Sequence, residues 1–184
     1  MLIGDPHTQL VTAGARLSAA GLLRASEGNL SARIAGGRCL ATPTGGVTGR
    51  LTGADLVEVP LGRGRIPPRA SSEVRLHIEI YRSRPDVEAI VHAHPPCVLR
   101  LAREGRLPDA GLLDEDGSRF GEVVVVPYFE EGSRELARAA AAALLEASAC
   151  VLLDHGAVTV GVTVESALRR MLQLERAAAR TRGR

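Results

Sequence analysis

The sequence predicts an α/β fold in which helices cover a sheet, and three observations predict it. Short apolar runs of strand length, such as Ala89–Val91, Val123–Val126 and Ala157–Val160, alternate with longer stretches whose apolar residues recur at helical spacing. Capping residues stand where those longer stretches begin: Asp5-Pro6, Gly132-Ser133, and Thr163 with Glu165. The 184 residues, 45% of them hydrophobic, suffice for one domain with a proper core, and no repeat or composition break divides residues 1–184.

In chain order, Leu10, Ala13, Gly14, Leu17 and Ala20 give the first helix its apolar stripe, and Gly21 ends it. The glycine turn Glu27-Gly28-Asn29 runs into a strand that reaches Ile34. A second strand, Arg38 to Ala41, ends in the hydroxyl- and glycine-rich loop Thr42-Pro43-Thr44-Gly45-Gly46, and a third covers Leu56 to Val59. Residues 60–70 hold three prolines, two glycines and three arginines and read as an exposed turn. Residues 71–84 fit two templates. Val74, Leu76, Ile78 and Ile80 alternate as in a strand, while Val74, His77, Ile78 and Tyr81 fit a helix face; Ser71 or Ser72 as a cap, Glu73 in the first turn and Arg84-Pro85 as a stop favour the helix. A strand over 88–94, a helix over 95–103 and a charged loop from Glu104 to Gly121 follow. Then come the strand Val123–Val126, an Ala-rich helix to about Ser148, a strand Cys150–Asp154 beside Ala157–Val160, and a last helix to about Arg180.

Composition removes several functions. All 23 basic residues are arginine, so no lysine Schiff base, lysine-bound pyridoxal phosphate or Walker-type phosphate loop can form. Carbonyl activation is left to a metal or to hydrogen bonds. Aromatic residues are 2% of the chain, which leaves few platforms for base stacking, and the net charge of +2 is evenly interspersed; nucleic acid is not the expected partner. No apolar run is long enough to span a membrane and no signal pattern opens the chain. Cys39, Cys97 and Cys150 stand singly in apolar or turn contexts, as reduced cysteines of a cytoplasmic protein do.

Two apolar runs end in histidine. His92 and His94 are two apart at the end of a strand, so both rings face one side, and the prolines at 95 and 96 stop the strand there. His155 ends the run that begins at Cys150. Three imidazoles with an open fourth position make a catalytic rather than a structural zinc site. His7 and His77 read as ordinary surface or groove residues. Three loops, Gly28-Asn29, Thr44-Gly45 and Ser71-Ser72, carry backbone N–H groups beside small polar side chains and can hold an anion without lysine. Glu73 follows the last of them, and reads as a helix-dipole acid, a ligand or a general base.

In order, Gly28-Asn29-Leu30-Ser31, Thr42-Pro43-Thr44-Gly45, Ser71-Ser72-Glu73, Arg84-Pro85-Asp86, His92-Ala93-His94 and Asp154-His155-Gly156 resemble the class II aldolase/adducin family, and within it the L-fuculose-1-phosphate aldolases. The resemblance runs from the first helix to about residue 178. It implies three layers, with a central, mainly antiparallel sheet flanked by helices, and a homotetramer with sites between subunits. It implies one Zn²⁺ per subunit on His92, His94 and His155, with Glu73 completing the shell when no substrate is bound and otherwise acting as the acid/base. Gly28, Asn29, Thr44, Gly45, Ser71 and Ser72 would hold the phosphate of a sugar phosphate. The implied reaction is cleavage of a ketose 1-phosphate to dihydroxyacetone phosphate and an aldehyde through a metal-stabilised enediolate. Relatives on this scaffold also epimerise L-ribulose 5-phosphate or dehydrate methylthioribulose 1-phosphate, and adducin-like modules catalyse nothing; retention of the three histidines and Glu73 argues against the last. One departure bears on the choice. The tyrosine that protonates the aldehyde oxygen in sugar-phosphate aldolases has no counterpart in the loop 103–120, which offers Asp109, Asp114, Glu115 and Asp116 instead.

Overall fold

A computed structural model of the chain describes residues 4–23, 27–108 and 121–181; Asp109, Asp114, Glu115 and Asp116 lie outside the described residues. The elements are α1 (Pro6–Ala19), β1 (Asn29–Ile34), β2 (Arg38–Ala41), β3 (Val57–Pro60), α2 (Val74–Ser83), β4 (Ala89–Ala93), α3 (Pro96–Arg103), β5 (Val123–Val126), α4 (Arg134–Ala143), β6 (Ala149–Leu152), β7 (Gly156–Gly161) and α5 (Val164–Arg180). Two 3₁₀ turns, Thr48–Arg50 and Gly53–Asp55, separate β2 from β3; each is three residues long, too short to leave a periodic trace in the sequence.

The seven strands form one sheet in the order β3-β2-β1-β4-β7-β6-β5. Every pairing is antiparallel except that of β5 with β6. Period-2 alternation then sorts the side chains into two cores. Leu30, Ala32, Ala89, Val91 and Ala93 pack with α1, α3 and α5. Ile90, Cys150, Val158 and Val160 pack with α2 and α4 on the opposite face. This is the three-layer, mainly antiparallel architecture that the sequence motifs implied. Among the described residues, no helix is long and apolar enough to cross a membrane.

Three helix ends differ in detail from expectation. α2 begins at Val74 with Glu73 in the cap position, and Ser71 caps less directly, its Oγ accepting the Glu73 N–H at 3.3 Å. α4 stops at Ala143, short of Ser148, and Arg84 reaches over to donate to the carbonyls of Leu144, Leu145 and Ala147 beyond its end. The box that opens α5 pairs Thr163 with Ser166, not Glu165; Glu165 instead meets Arg16 of α1 at 2.8 Å. Cys39 and Cys150 are buried, and burial pushes both thiols up to about 12.

Candidate metal centre

β1 and β4 set the site. Their register places Asn29 directly opposite His92, so the Gly28-Asn29 turn and the His-Ala-His run meet at one sheet end. Gly28 sits at φ +73°, and a Cβ there would stand 2.8 Å from the His92 carbonyl oxygen; a side chain would push the two strands apart. β4 ends at Ala93, one residue earlier than alternation alone would place it. His94 lies just past the strand, its N–H donated to Leu22 O at 3.0 Å. His155 comes from the turn between β6 and β7, not from the strand itself. There Asp154 takes φ +58° and the His155 N–H returns to Leu152 O at 3.1 Å; aspartate is among the residues that tolerate this conformation.

The three rings converge. Their centroids are 5.1, 4.8 and 5.4 Å apart, and one nitrogen of each falls within 4.8 Å of the others. His92 turns its Nδ1 to the Ala157 carbonyl at 3.1 Å, and His94 turns its Nδ1 to Glu27 Oε2 at 3.1 Å. An imidazole Nδ1 facing an acceptor carries the proton, so the Nε2 of each presents a lone pair. Those two Nε2 atoms stand 3.3 Å apart. Two lone pairs at that distance repel unless a cation lies between or above them. Nitrogens locked by an outer hydrogen bond in this way are the usual arrangement of metal-bound histidine. Glu73 closes the group, with Oε2 at 3.2 Å from His92 Nε2 and Oε1 at 3.2 Å from His155 Nε2. Neither contact has hydrogen-bond geometry, and Glu73 Oε1 and His155 Nδ1 are buried without a hydrogen-bond partner among the described residues. An anionic oxygen left open beside three imidazoles suits a divalent cation, and these residues fit one.

The charges are tightly coupled. Burial works to raise the Glu73 carboxyl, but without a metal the charge of His92 and the close approach of the His155 and His92 rings outweigh it and hold the carboxyl far below the usual carboxylate range. Burial works to lower His92, and the Glu73 carboxylate reverses the balance and raises it. His94 is lowered, first by burial and then by the His92 charge. Beside the rings lies a cavity of about 260 Å³ lined by Glu27, His94, Pro96, Leu99, Arg103 and His155.

The loops expected to hold an anion are brought together. Pro43 bridges Ala70, Thr44 N–H donates to Arg69 O at 2.8 Å, and Ser71 N–H donates to Thr42 O at 3.2 Å. Thr44-Gly45 and Ser71-Ser72 are therefore one double strap, joined to the imidazoles through Glu73. The same bonds correct part of the expectation, because the backbone N–H groups of Thr44 and Ser71 are already spent. The hydroxyls of Thr44 and Ser72 donate to no described residue. Asn29 is buried, its Nδ2 donating to Glu73 Oε2 at 2.8 Å and its Oδ1 accepting from His77 Nε2 at 2.6 Å. His77, expected as an ordinary surface or groove residue, is 1% exposed; the helix face that it shares with Tyr81 turns inward onto β1. Sequence reasoning also passed over Glu27, which holds His94, and Glu131, whose Oε1 lies 3.8 Å from His155 Nε2. Glu27 stands next to the Gly28 turn, a signal that was available. Glu131 follows β5 in a loop without periodicity and had none.

Known proteins share this sequence pattern and this fold. The family model of the class II aldolase and adducin N-terminal domain matches residues 8–181. The chain is 35% identical over 167 residues to a 5-methylthioribulose-1-phosphate/5-deoxyribulose-1-phosphate aldolase of Rhodospirillum rubrum, covering 90% of this chain and 75% of that protein. It is 33% identical over 182 residues to a 3-oxo-tetronate 4-phosphate decarboxylase of Pectobacterium atrosepticum, covering 94% and 81%. Among solved structures, L-fuculose-1-phosphate aldolase from Thermus thermophilus superposes with a TM-score of 0.82 at 37% identity, covering 94% of this chain and 90% of that one.

Proposed function

Because the chain belongs to the class II aldolase and adducin family, we propose that it is a zinc-dependent lyase that cleaves a ketose 1-phosphate of the L-fuculose 1-phosphate kind to dihydroxyacetone phosphate and an aldehyde. The observation that carries this is the convergence of three imidazoles with one open carboxylate oxygen, next to a strap with free hydroxyls. His92, His94 and His155 would hold one metal ion per chain. Bound there, a divalent ion supplies Lewis-acid polarisation of the substrate carbonyl.

The protein groups supply the rest. The strap Thr44-Gly45 and Ser71-Ser72, with the Gly28-Asn29 turn, binds the phosphate and so fixes the distance from phosphate to carbonyl. Glu73 stands between the strap and the imidazoles, where its carboxylate can take a proton from the substrate hydroxyl and return one to carbon. When the bond beyond the carbonyl breaks, the electron pair moves to the carbon next to that carbonyl and the aldehyde leaves. A homotetramer with sites between subunits belongs to the same proposal, and light scattering of the purified protein checks it.

A second reading has its own support in the 33% identity to a 3-oxo-tetronate 4-phosphate decarboxylase. Loss of carbon dioxide from a 3-oxo acid also breaks a bond one carbon from a carbonyl and leaves an electron pair at the same place. The site therefore needs the same cation and phosphate strap for either substrate, and only the leaving fragment differs. The test measures dihydroxyacetone phosphate released from L-fuculose 1-phosphate and from 5-deoxyribulose 1-phosphate, and carbon dioxide released from 3-oxo-tetronate 4-phosphate. Each is run with chelator and after Zn²⁺ is restored. Metal-dependent release of dihydroxyacetone phosphate from either ketose 1-phosphate supports the aldolase. Carbon dioxide alone transfers the proposal to the decarboxylase. No release from a zinc-loaded protein sinks both, and directs the search to epimerisation or dehydration.

A further inference from the structure

Glu73, His77 and Tyr81 are four residues apart along α2 and its cap, and therefore share one face; Asn29 and Ser31 are two apart on β1 and point at it. The five side chains interlock. Tyr81 Oη lies 2.9 Å from Ser31 Oγ, Ser31 Oγ lies 2.6 Å from His77 Nδ1, His77 Nε2 lies 2.6 Å from Asn29 Oδ1, and Asn29 Nδ2 lies 2.8 Å from Glu73 Oε2. All five residues are buried.

We propose that His77 is a positioning residue, which fixes the Asn29 amide, and through it the Glu73 carboxylate, by means of a hydrogen-bond chain that runs one way from Tyr81. The proposal rests on the reading of Glu73 as the acid/base beside the metal.

The direction follows from the far end. An ionised Glu73 Oε2 can only accept, so the Asn29 end that faces it must be the NH₂ group. Asn29 Oδ1 then faces His77 and needs a donor, which puts the imidazole proton on Nε2. Nδ1 is left bare and accepts the Ser31 hydroxyl proton, and Ser31 Oγ in turn accepts from Tyr81. The reverse order would aim the Asn29 carbonyl at the carboxylate across 2.8 Å, acceptor against acceptor. Burial keeps the donor at the start of the chain in place, since the Tyr81 hydroxyl is held well above its ordinary range. Arg33 seals that end, its guanidinium 4.8 Å from the Tyr81 ring centroid and bonded to the carbonyls of Tyr81, Val87 and Arg84. Each link of the chain joins one donor to one acceptor between buried side chains, which makes it stiff.

The consequence falls on Glu73. Oε2 is occupied by Asn29, and Oε1 is the oxygen turned to His155 without a hydrogen bond. A core polar cluster needs satisfied partners but no particular direction. This chain has one, and it ends on the oxygen whose twin is left open. His77 is no proton carrier itself, because both of its nitrogens are committed and it is 1% exposed.

The test compares His77→Leu with His77→Gln in the zinc-loaded protein. The Gln side chain can place an N–H near the position of Nε2 and donate to Asn29 Oδ1; Leu cannot. The Leu variant is expected to keep one metal per chain and its KM, and to lose about tenfold or more in kcat, with Gln restoring most of the loss. Imidazole ¹⁵N shifts give a readout that needs no substrate: His77 is expected as the Nε2–H tautomer, and Ser31→Ala is expected to mix the two tautomers. A folded, metal-loaded Leu variant with unchanged kcat overturns the proposal, as does a Gln variant no better than Leu, or an Nδ1–H tautomer in the unmodified protein. Should the Leu variant not fold, Ser31→Ala decides by its tautomer and kcat. If the unmodified protein turns over no sugar phosphate, the functional reading fails first, and the nitrogen shifts still decide the chain of bonds.

Discussion

The Nε2 atoms of His92 and His94 stand 3.3 Å apart, while each ring holds an oxygen with its other nitrogen: Ala157 O for His92 and Glu27 Oε2 for His94. The two lone pairs are thus aimed at one point by bonds on the far sides of the rings. The Ala157 bond is buried backbone, whereas the Glu27 side chain is 48% exposed. The two supports should differ in weight. His92→Ala is expected to abolish stoichiometric zinc binding. Glu27→Ala should weaken it by about tenfold, the low end of what such supporting contacts contribute. Competition against a chromophoric chelator measures both; equal affinity in Glu27→Ala and the unmodified protein would show that the outer bond is idle.

Glu73 separates binding from chemistry. Glu73→Gln keeps the volume and one oxygen but carries no charge and takes up no proton. Zinc should remain, since three imidazoles hold it without the carboxylate. Turnover should fall by roughly 10²- to 10⁴-fold, the range that a positioned acid/base supplies. Metal analysis and steady-state kinetics on one preparation check this. Near-normal turnover would remove Glu73 from its role.

Gly156 is the tightest point behind the imidazoles. A Cβ there would stand 2.6 Å from His92 Cε1, 2.7 Å from His94 Cδ2 and 2.8 Å from Ala93 O. The carbonyl belongs to the sheet and cannot yield, so the two rings must. Gly156→Ala is expected to lower zinc affinity by at least about tenfold and stability by about 1–3 kcal/mol, the usual cost of overpacking. Zinc titration and urea unfolding with chelator present separate the two effects.

Acid should unfold the protein partly through His77. Burial, then the His92 charge, lowers this imidazole from its ordinary 6.5 to about 3. The unfolded chain therefore binds a proton near pH 6.5 that the folded chain refuses, and the stability that His77 contributes, full above pH 6.5, is lost as pH falls toward 3. Urea midpoints from pH 7 to 4, with chelator present, should decline less steeply in His77→Gln than in the unmodified protein. Parallel declines would mean that the folded imidazole titrates near its free value.

Most of the elements were legible because each carries its own local signal. Asp5-Pro6 caps α1, and the Asp5 carboxylate does accept from the His7 and Thr8 N–H groups. The alternation over 71–84 suited strand or helix equally, and the Arg84-Pro85 stop with the Ser-Ser-Glu start argued correctly for α2. The three histidines were legible as a group since they stand at the ends of two apolar runs, His92 and His94 sharing one. His77 was misread because a helix face turns inward or outward according to what packs on it, and the Asn29 and Ser31 side chains that receive it are nearly fifty residues away.

By itself the sequence determined most of the elements, the exclusion of lysine chemistry and the membership of the histidine cluster, for these depend on residue type and short-range spacing. Tertiary structure alone decided how those residues meet. The β1–β4 register set Asn29 against His92, and the turn at Asp154 swung His155 off its strand. The packing of α2 on β1 joined Glu73 to a buried chain that ends at Tyr81. Register, turn conformation and helix placement come from which strand pairs with which and what covers the sheet. Those are contacts between residues far apart in the chain, and no local pattern encodes them.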